Sequence, residues 1–190
     1  MSATTSSERK VQRPTDELPT LHLEPAIPQP ESWELKIDGM VATAATYPIE
    51  QIRKMTTEHL KRDLHCVWGW VKPGCRWEGI SVSRLLDAAG PLPGATHVVA
   101  KAIEGRYAAC FTLAEAADSF LAWGLDGEEL TAEHGAPLRL IQPENKWAYK
   151  GIKWIGALTL VGSFQPGFWE SLVGNPHGDI PPEMLDLRHE

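Results

Sequence analysis

The chain has 190 residues, 43% of them hydrophobic, and a formal net charge of −7. This length and hydrophobic fraction fit a single globular domain with its own core, which excludes a disordered chain or a miniature fold held by disulfides. The acidic balance disfavours nucleic acid and anionic membranes as partners, and no apolar run approaches the ~18 residues of a membrane span.

Cysteine usage and the N-terminal composition bear on the compartment. The three cysteines are odd in number and include no pair at CxxC spacing, which disfavours a disulfide framework and indicates a reducing environment. The first thirty residues are polar and Pro-rich and contain no apolar region of a signal peptide. We therefore expect a cytoplasmic protein.

The composition also predicts the domain boundaries. Residues 1–20 are rich in Ser, Thr, Pro and charge and predict a flexible tail, followed by one domain over residues 21–190. Three prolines within residues 21–32 predict an extended arm across the body, because each fixes φ and removes a hydrogen-bond donor. By itself, His22 in this arm is more typical of a surface residue than of a ligand contact.

The first half of the domain contains short strands and one short helix. Residues 33–37 alternate apolar and polar side chains and predict a strand that ends at the Asp38-Gly39 turn. Pro48 is suited to the first turn of a short apolar-striped helix. The alternation over residues 60–66 predicts one further strand, in which His65 points away from the face that carries Cys66.

The second half has clear helix and turn signals. Ser81 and Gly90 predict the cap and the stop of a helix, and Thr112 with Glu115 has the spacing of a capping box. Asp126-Gly127 predicts a hairpin turn. The remaining segments predict short strands at residues 98–100, 107–111 and 137–141 and a final pair at 152–155 and 157–161. Many short strands with few helices in no regular βαβ order predict an α+β fold with a mixed sheet.

Cys66 ends an apolar strand beside aromatic rings and glycines, within residues 63–70. A soft thiolate suits a transition metal, whereas an isolated thiol is ordinarily an inert buried hydrophobe. A zinc site would need three or four Cys or His ligands at helpful spacing, which is not present. A cysteine nucleophile would need a base within reach, but His65 faces the other way and His134 has no supporting pattern. The residues alone leave these alternatives open.

A second cluster is basic. Its cationic side chains are His134, Arg139, Lys146, Lys150 and Lys153. Arg139 lies within an apolar strand, where a buried guanidinium is costly unless an anion or carboxylate pairs with it. Guanidinium and ammonium groups both suit phosphate. The cluster therefore indicates either an anionic ligand, such as a cofactor phosphate, or an internal salt bridge.

Taken in order, these segments resemble the molybdopterin-binding domain of the sulfite oxidase family, from about Thr20 to Glu170. The similarity is greatest to short bacterial and archaeal members that consist of the cofactor domain alone. The matching segments are residues 21–28, the cysteine loop at 63–67 with Trp70 and 77–79, residues 125–128 and 134–140, the Lys-bearing 149–154, and the closing motif 167–170.

The resemblance implies a sulfite oxidase-type fold and a molybdenum–molybdopterin cofactor in the pterin form without a nucleotide. It implies that Cys66 is the molybdenum ligand and the catalytic residue. It also implies that the arm bearing His22 closes over the cofactor. The cofactor-binding residues that it implies are His22, Cys66, His134, Arg139, Lys150 and Lys153.

The same resemblance implies two-electron oxygen-atom transfer to or from a small-molecule substrate, with an external protein as electron donor or acceptor. Two departures bear on the substrate. Animal-type sulfite oxidases hold sulfite with an Arg where this chain has Val71 and Lys72. Many members also carry Tyr-Thr-Thr-Asn where this chain has Tyr107 followed by Ala-Ala-Cys. The substrate therefore stays open.

Two other functions remain as alternatives. The loss of the Thr-Thr-Asn element is consistent with a non-catalytic module that carries the pterin or another anion. The three thiols, Cys66, Cys75 and Cys110, are consistent with a thiol redox protein.

Overall fold

The computed structural model describes residues 12–20 and 32–185. The strands are β1 (Arg13–Pro14), β2 (Glu34–Gly39), β3 (Ala45–Pro48), β4 (Glu58–Lys61), β5 (Leu64–Cys66), β6 (Trp70–Lys72), β7 (Arg76–Ser81), β8 (His97–Ala102), β9 (Ala108–Thr112), β10 (Phe120–Leu125), β11 (Glu128–Glu129), β12 (Arg139–Ile141) and β13 (Ile155–Val161). The helices are α1 (Ile49–Arg53), α2 (Val82–Ala89), α3 (Leu113–Ala117), α4 (Phe168–Leu172) and α5 (Pro182–Leu185), with 3-10 turns at Ala132–His134 and Ala148–Lys150. Mixed sheets with few, short helices confirm the predicted α+β class.

The first sheet has five strands in the order β3-β2-β13-β8-β9. β2 and β13 run parallel, whereas the other neighbours are antiparallel. Along β2, Leu35 and Ile37 are fully buried and Glu34 and Lys36 are exposed, which confirms the predicted alternation. This sheet therefore presents one apolar face to the core.

The second sheet has the order β11-β10-β7-β4, and β12 pairs with β10. The β10–β11 hairpin turns at Asp126 and Gly127, whose φ angles of 56° and 91° are the two positive values of a type I′ turn. The hairpin prediction is confirmed. β7 approaches β10 closely at Gly79, where an added Cβ would lie 1.9 Å from the carbonyl oxygen of Leu121. Only glycine therefore allows these two strands to pair in this way.

The third sheet is small and has the order β1-β6-β5. β5 and β6 form an antiparallel hairpin, and β1 runs parallel to β6 from the other side. Cys66 pairs with Trp70 at the turn end of this hairpin. The sheet therefore carries the cysteine predicted to be functional.

Helix boundaries follow local chemistry. Ser81 is the N-cap residue of α2, but the predicted side-chain cap is not formed, because its hydroxyl makes no capping hydrogen bond. Gly90 ends the helix with a φ of 66° and an N–H that donates to the Leu86 carbonyl, 2.9 Å away. At α3 the Thr112 hydroxyl accepts from the Glu115 N–H at 3.2 Å, and the Glu115 carboxylate accepts from the Thr112 N–H at 2.8 Å. Both predicted helices are confirmed, and the second has a complete capping box.

The buried apolar residues form two clusters. The larger cluster packs the first sheet against α1 and α2. The smaller one lies beneath the cysteine hairpin and contains Leu64, Cys75, Trp77 and, from the N-terminal segment, Leu18. Fully burying one large apolar side chain of this kind contributes about 1.5–3 kcal/mol. The N-terminal segment is therefore part of the core that supports the hairpin.

Three sequence predictions need correction. Residues 60–66 form two strands in different sheets, because the buried Arg62 turns inward and donates to the carbonyls of Asp118 and Gln142 at 2.8 and 2.9 Å. The predicted final strand pair is a single strand, β13, with an irregularity between Ile155 and Ala157. Residues 12–20 were predicted within a flexible tail but pack on the body, so we call them the N-terminal strap.

No helix among residues 12–20 and 32–185 is both long and apolar enough to cross a membrane.

Candidate functional site

Local turn chemistry places Cys66 at the tip of the β5–β6 hairpin. Three residues separate Cys66 from its partner Trp70, and the Gly69 N–H donates to the Cys66 carbonyl at 3.0 Å. Gly69 has a φ of 90°, which suits the left-handed residue that closes a three-residue hairpin loop. The glycine and tryptophans that mark this segment in the sequence therefore build a tight turn that presents the cysteine.

Cys66 lines a cleft between this hairpin, β12, the 3-10 turn Ala148–Lys150 and α4. Other walls come from the strap and from the residues that follow β12. The cleft is lined by Leu18, Pro19, Cys66, Val67, Trp68, Trp70, Tyr107, Arg139, Ala148, Tyr149, Gly151, Ile152, Lys153, Trp169 and Val173. One thiol, two cations and many apolar groups therefore share one concave surface, the composition expected of a cofactor or substrate site.

The Cys66 thiol is buried, with 6% of the residue exposed. Burial raises the pKa of this thiol, although a hydrogen bond from the Trp68 backbone lowers it in part. Without a bound metal ion, the Cys66 thiol is therefore protonated near neutral pH. A metal ion would reverse this state, since a coordinating thiol loses its proton.

Arg139 and Lys153 supply the two cations of the cleft. The Arg139 guanidinium lies 5.8 Å from the centroid of the Trp77 ring and donates to the His134 carbonyl at 3.0 Å. The Lys153 ammonium donates to the Glu133 carbonyl at 2.7 Å and lies 5.4 Å from the Trp154 ring centroid. Carbonyls and aromatic faces thus contribute to the orientation of both cations, and guanidinium and ammonium groups are the kinds of group that bind phosphate.

His134 is not among the residues that line this cleft. Its Nε2 donates to the Leu18 carbonyl at 3.0 Å and lies 3.2 Å from the Thr20 hydroxyl, while Nδ1 lies 2.9 Å from the Thr131 hydroxyl. Burial lowers the pKa of His134, and the nearby cations act in the same direction. The neutral imidazole therefore fastens the strap. Its predicted direct contact with a cofactor stays a prediction.

Lys150 is turned away from the cleft. Its residue is 1% exposed, and its ammonium contacts the Glu170 carboxylate and donates to the Cys110 carbonyl at 2.5 Å. The Phe111 ring centroid lies 4.6 Å from the same nitrogen. The sequence analysis allowed either an anionic ligand or an internal salt bridge, and Lys150 forms an internal salt bridge with Glu170. The predicted contact of Lys150 with a cofactor stays a prediction. His22, the remaining predicted site residue, lies outside the described residues.

The other two thiols do not line the cleft. Cys75 is fully buried in the smaller apolar cluster, and burial raises its pKa to about 11. Cys110 is also buried, its pKa is raised by burial, and its sulfur accepts from the Gln165 N–H at 3.3 Å. The replacement of the family's Asn by Cys110 thus puts this thiol against the C-terminal segment.

Several lining residues were not predicted as site residues. Tyr107 and Trp169 stack with an interplanar angle of 8° and a centroid separation of 6.5 Å, and Arg106 lies 5.9 Å from the Tyr107 ring. The aromatic residues stood out in the sequence, but their convergence depends on packing of α4 against β9. Leu18-Pro19 is an apolar pair in an otherwise polar stretch of sequence. This contrast was the sequence signal that could have indicated that the pair lines the cleft.

The residues of the cleft fit a metal ion whose other ligands come from a cofactor. Cys66 supplies one soft sulfur to the cleft, and two cations lie on the same surface. Among the described residues, no group of three or more His, Cys, Asp or Glu side chains is arranged to hold a metal ion. A metal held by Cys66 therefore needs further ligands from a cofactor, and an anionic one matches Arg139 and Lys153.

Comparison with known proteins gives consistent results. The family described as "Oxidoreductase molybdopterin binding domain" matches residues 22–169. The "Uncharacterized oxidoreductase YuiH" of Bacillus subtilis (strain 168) is 31% identical over 172 residues, covering 88% of this chain and 86% of that protein.

Two further relatives are named "Protein-methionine-sulfoxide reductase catalytic subunit MsrP". The protein of Gluconobacter oxydans (strain 621H) is 33% identical and that of Pseudomonas syringae pv. tomato (strain ATCC BAA-871 / DC3000) is 32% identical, each over 170 residues and 78% of this chain. The matched regions span 53% and 49% of those proteins, so the chain corresponds to about half of their length.

Among solved structures, the sulfane dehydrogenase SoxCD from Paracoccus pantotrophus matches with a TM-score of 0.61 and 22% identity. The match covers 69% of this chain and 38% of that one. At this identity the likeness concerns the fold, and it confirms the sulfite oxidase-type fold expected from the sequence.

Proposed function

The chain belongs to the oxidoreductase family defined by the molybdopterin-binding domain, and from this premise we propose that it transfers an oxygen atom to or from a small substrate at a molybdenum centre ligated by Cys66. One observation carries the proposal. Cys66 lines the same cleft as Arg139, Lys153 and a set of aromatic residues. This arrangement supports Cys66 as the ligand for the metal and Arg139 and Lys153 as the cations that bind an anionic cofactor.

The roles of the side chains follow from their positions. Cys66 would hold the metal through its thiolate, while Arg139 and Lys153 would offset the negative charge of the pterin phosphate. Trp70 and Trp169 would exclude water from the cleft, which strengthens these electrostatic contacts. When bound, the molybdenum cofactor supplies the two-electron redox chemistry, while the protein supplies fixation and access. We propose the pterin form without a nucleotide.

The first prediction concerns the metal ligand. Replacing Cys66 by serine (Cys66→Ser) removes the soft donor, and we expect the variant to fold but to lose its molybdenum-linked redox signal. Cys75→Ser is the matched control, because Cys75 lies outside the cleft and serine can keep its hydrogen bond to the Lys72 carbonyl. Molybdenum is measured by elemental analysis, and the pterin by fluorescence after oxidative release.

The wild-type protein, purified from a host that makes the cofactor, should contain about one molybdenum and one pterin per chain if every cleft holds one cofactor. Wild-type activity in Cys66→Ser would reject Cys66 as the catalytic ligand. A protein with neither molybdenum nor pterin would reject the cofactor assignment as a whole.

We further propose sulfoxides with an apolar substituent as substrates. Two relatives are named for the reduction of methionine sulfoxide in proteins, and the mouth of this cleft carries exposed Val67, Trp68 and Val173. Lys72, which occupies the stretch of the sulfite-binding Arg in animal-type sulfite oxidases, is buried and paired with Asp126 at 3.0 Å. An apolar mouth without this cation suits a neutral sulfoxide better than sulfite.

We propose a cytoplasmic location and an external electron-transfer protein as partner. All three thiols are free in the structure, as a reducing compartment would keep them. Fractionation of cells with an antibody against the chain tests the location. Co-purification followed by reduction of the molybdenum centre by the captured protein tests the partner.

The carrier and thiol redox functions find less support in the geometry. Burial raises the pKa of Cys66, Cys75 and Cys110, and the thiolate is the form that reacts in thiol redox chemistry. A carrier would retain the cofactor but show no turnover with added sulfoxide. Turnover in a loaded preparation would therefore separate the proposed enzyme from a carrier.

A further inference from the structure

The N-terminal strap makes direct contact with the backbone of the cysteine hairpin through Gln12. The Gln12 side-chain Nε2 donates to the Cys66 carbonyl at 3.0 Å and to the Trp70 carbonyl at 3.2 Å. The Oε1 of the same amide contacts Nδ1 of His65. One buried side chain therefore bridges both strands of the hairpin immediately beside the candidate metal ligand.

The hydrogen-bond network fixes the orientation of these groups. Carbonyl oxygens only accept, so the amide nitrogen of Gln12 must face Cys66 and Trp70, and the amide oxygen must face His65. His65 therefore carries its proton on Nδ1 and donates to Gln12. The Cys66 carbonyl receives two donors, the Gly69 N–H of the turn and the Gln12 amide. Rotation of the cysteine backbone would break both bonds.

The strap is anchored along its whole length. The Arg13 N–H donates to the Gly69 carbonyl at 2.8 Å, and the Thr15 N–H donates to the Val71 carbonyl at 2.9 Å. Leu18 is buried in the smaller apolar cluster, and its carbonyl accepts from His134. The strap thus joins the cysteine hairpin to the segment that carries Arg139, and its Leu18-Pro19 pair forms part of the cleft wall.

We infer that Gln12 is a positioning residue for the Cys66 ligand and that the N-terminal strap is a working part of the metal site. The inference rests on the proposed function, in which Cys66 holds molybdenum. Groups that hydrogen-bond around a metal ligand fix its direction, and their loss costs metal affinity or activity about 10- to 100-fold. Here the partner of the ligand is supplied by a residue 54 positions earlier in the chain.

The test compares two substitutions of Gln12 with one control substitution at the neighbouring position. Gln12→Met keeps length and bulk but removes every hydrogen bond. Gln12→Glu keeps an acceptor for His65 but removes the donors to the Cys66 and Trp70 carbonyls. Arg13→Ala is the matched control, because the exposed Arg13 side chain is removed while its backbone bond to Gly69 is kept.

The first readout uses metal-free protein in a Cys75→Ser background, with Cys66 followed by mass spectrometry during alkylation with iodoacetamide. We expect Cys66 in both Gln12 variants to react several-fold faster than in the parent, and Arg13→Ala to match the parent. Alkylation rates equal to that of the parent in both Gln12→Met and Gln12→Glu would overturn the inference, because the hydrogen bonds of Gln12 would then have no effect on Cys66.

The second readout uses the loaded fraction of each protein. We expect the Gln12 variants to lose molybdenum about 10-fold faster than wild type and to show a changed midpoint potential of the metal. A residue that only stabilised the fold would lower the occupancy but leave the potential of the loaded fraction unchanged. An unchanged potential would therefore overturn the positioning role.

The two readouts separate this inference from the proposed function. Alkylation of metal-free protein reports on the Gln12–Cys66 contact whether or not molybdenum is the natural metal. Faster alkylation in the Gln12 variants, combined with full molybdenum retention in Cys66→Ser, would uphold the contact and reject the ligand assignment.

Discussion

Trp68 exposes 56% of its surface although it lines the cleft that holds Cys66. An exposed indole at the mouth of a pocket is available for contact with a ligand, since burying a large apolar side chain contributes about 1.5–3 kcal/mol. Val67 and Val173, also exposed, continue this apolar rim. At the scale of single residues, the rim is therefore where the proposed apolar substrate would be distinguished from a small polar one.

We expect Trp68→Ala to raise KM for an aryl sulfoxide about 10-fold, corresponding to ~1.4 kcal/mol of lost apolar contact. KM for dimethyl sulfoxide should change less, because this substrate buries little surface on an indole. Leu92→Ala is the control, since Leu92 is 42% exposed but does not line the cleft. Equal changes in KM for both substrates would argue against the rim as a determinant of specificity.

The pairing of strands β7 and β10 depends on one position without a side chain. At Gly79 an added Cβ would meet the Leu121 carbonyl oxygen at 1.9 Å and the Phe120 ring at 2.8 Å. Real Cβ atoms do not approach backbone oxygen so closely, so the strands would have to separate. At the scale of elements, glycine at position 79 allows the close strand pairing in the sheet that also carries β12 and Arg139.

Gly79→Ala should therefore reduce the free energy of unfolding by about 3 kcal/mol or more, at the upper end of typical overpacking effects. Gly162→Ala is the control, because its added Cβ would meet the nearest atom at 3.4 Å, an ordinary contact. Chemical denaturation of the two variants provides the comparison. A Gly79→Ala protein as stable as Gly162→Ala would show that the two strands separate at little cost.

A buried lysine that does not line the cleft, Lys146, joins three segments of the chain. The Lys146 ammonium lies 2.5 Å from the Glu115 carboxylate of α3 and 2.6 Å from the Asp179 carboxylate near the C-terminal end. Burial acts to raise the pKa of Glu115, but Lys146 and the Thr112 N–H lower it overall. Burial likewise acts to lower the pKa of Lys146, but Asp179 and Glu115 raise it overall.

Because of these two pKa shifts, the stability contributed by the cluster falls both at acidic pH and at alkaline pH. The contribution of Glu115 is present above its ordinary pKa of 4.5 and is lost as the pH falls through the lower, folded-state value. The contribution of Lys146 is present below its ordinary 10.5 and is lost as the pH rises through the higher, folded-state value. The cluster should therefore stabilise the protein most between these limits.

Lys146→Met should lower the free energy of unfolding at pH 7 by about 2 kcal/mol and flatten both the acid and the alkaline limb of the profile. Lys61→Met, at an exposed strand position, is the control and should leave the limbs unchanged. Thermal or urea unfolding from pH 4 to pH 11 measures the effect. A Lys146→Met profile parallel to the wild-type profile would show that the cluster does not titrate with folding.

At the scale of the whole molecule, local signals predicted local structure well. The alternation of Leu35 and Ile37 predicted β2, and the spacing of Thr112 and Glu115 predicted the start of α3. These features depend on neighbours in sequence, where steric and hydrogen-bond rules act directly. The family and its fold also followed from the order of the motifs.

The parts that the sequence did not reveal depend on distant contacts. Lys150 and Lys153 are three positions apart in one basic segment, yet only Lys153 lines the cleft, because the 3-10 turn points Lys150 toward Glu170. The packing of the N-terminal strap also could not be predicted locally, because the composition of residues 12–20 indicates a flexible tail. Its burial depends on the hairpin of Cys66 and on His134, which follow much later in the chain.

The strap also constrains the order of events during synthesis. The Leu18 carbonyl and its donor, His134, are separated by 116 positions, so the strap leaves the ribosome well before its anchor exists. At about 5–20 residues per second, the interval is on the order of ten seconds. Throughout that interval the cleft lacks a wall and the basic segment of Arg139 and Lys153. Insertion of a cofactor should therefore follow translation, and a folding helper that guards the exposed hairpin would act in this window.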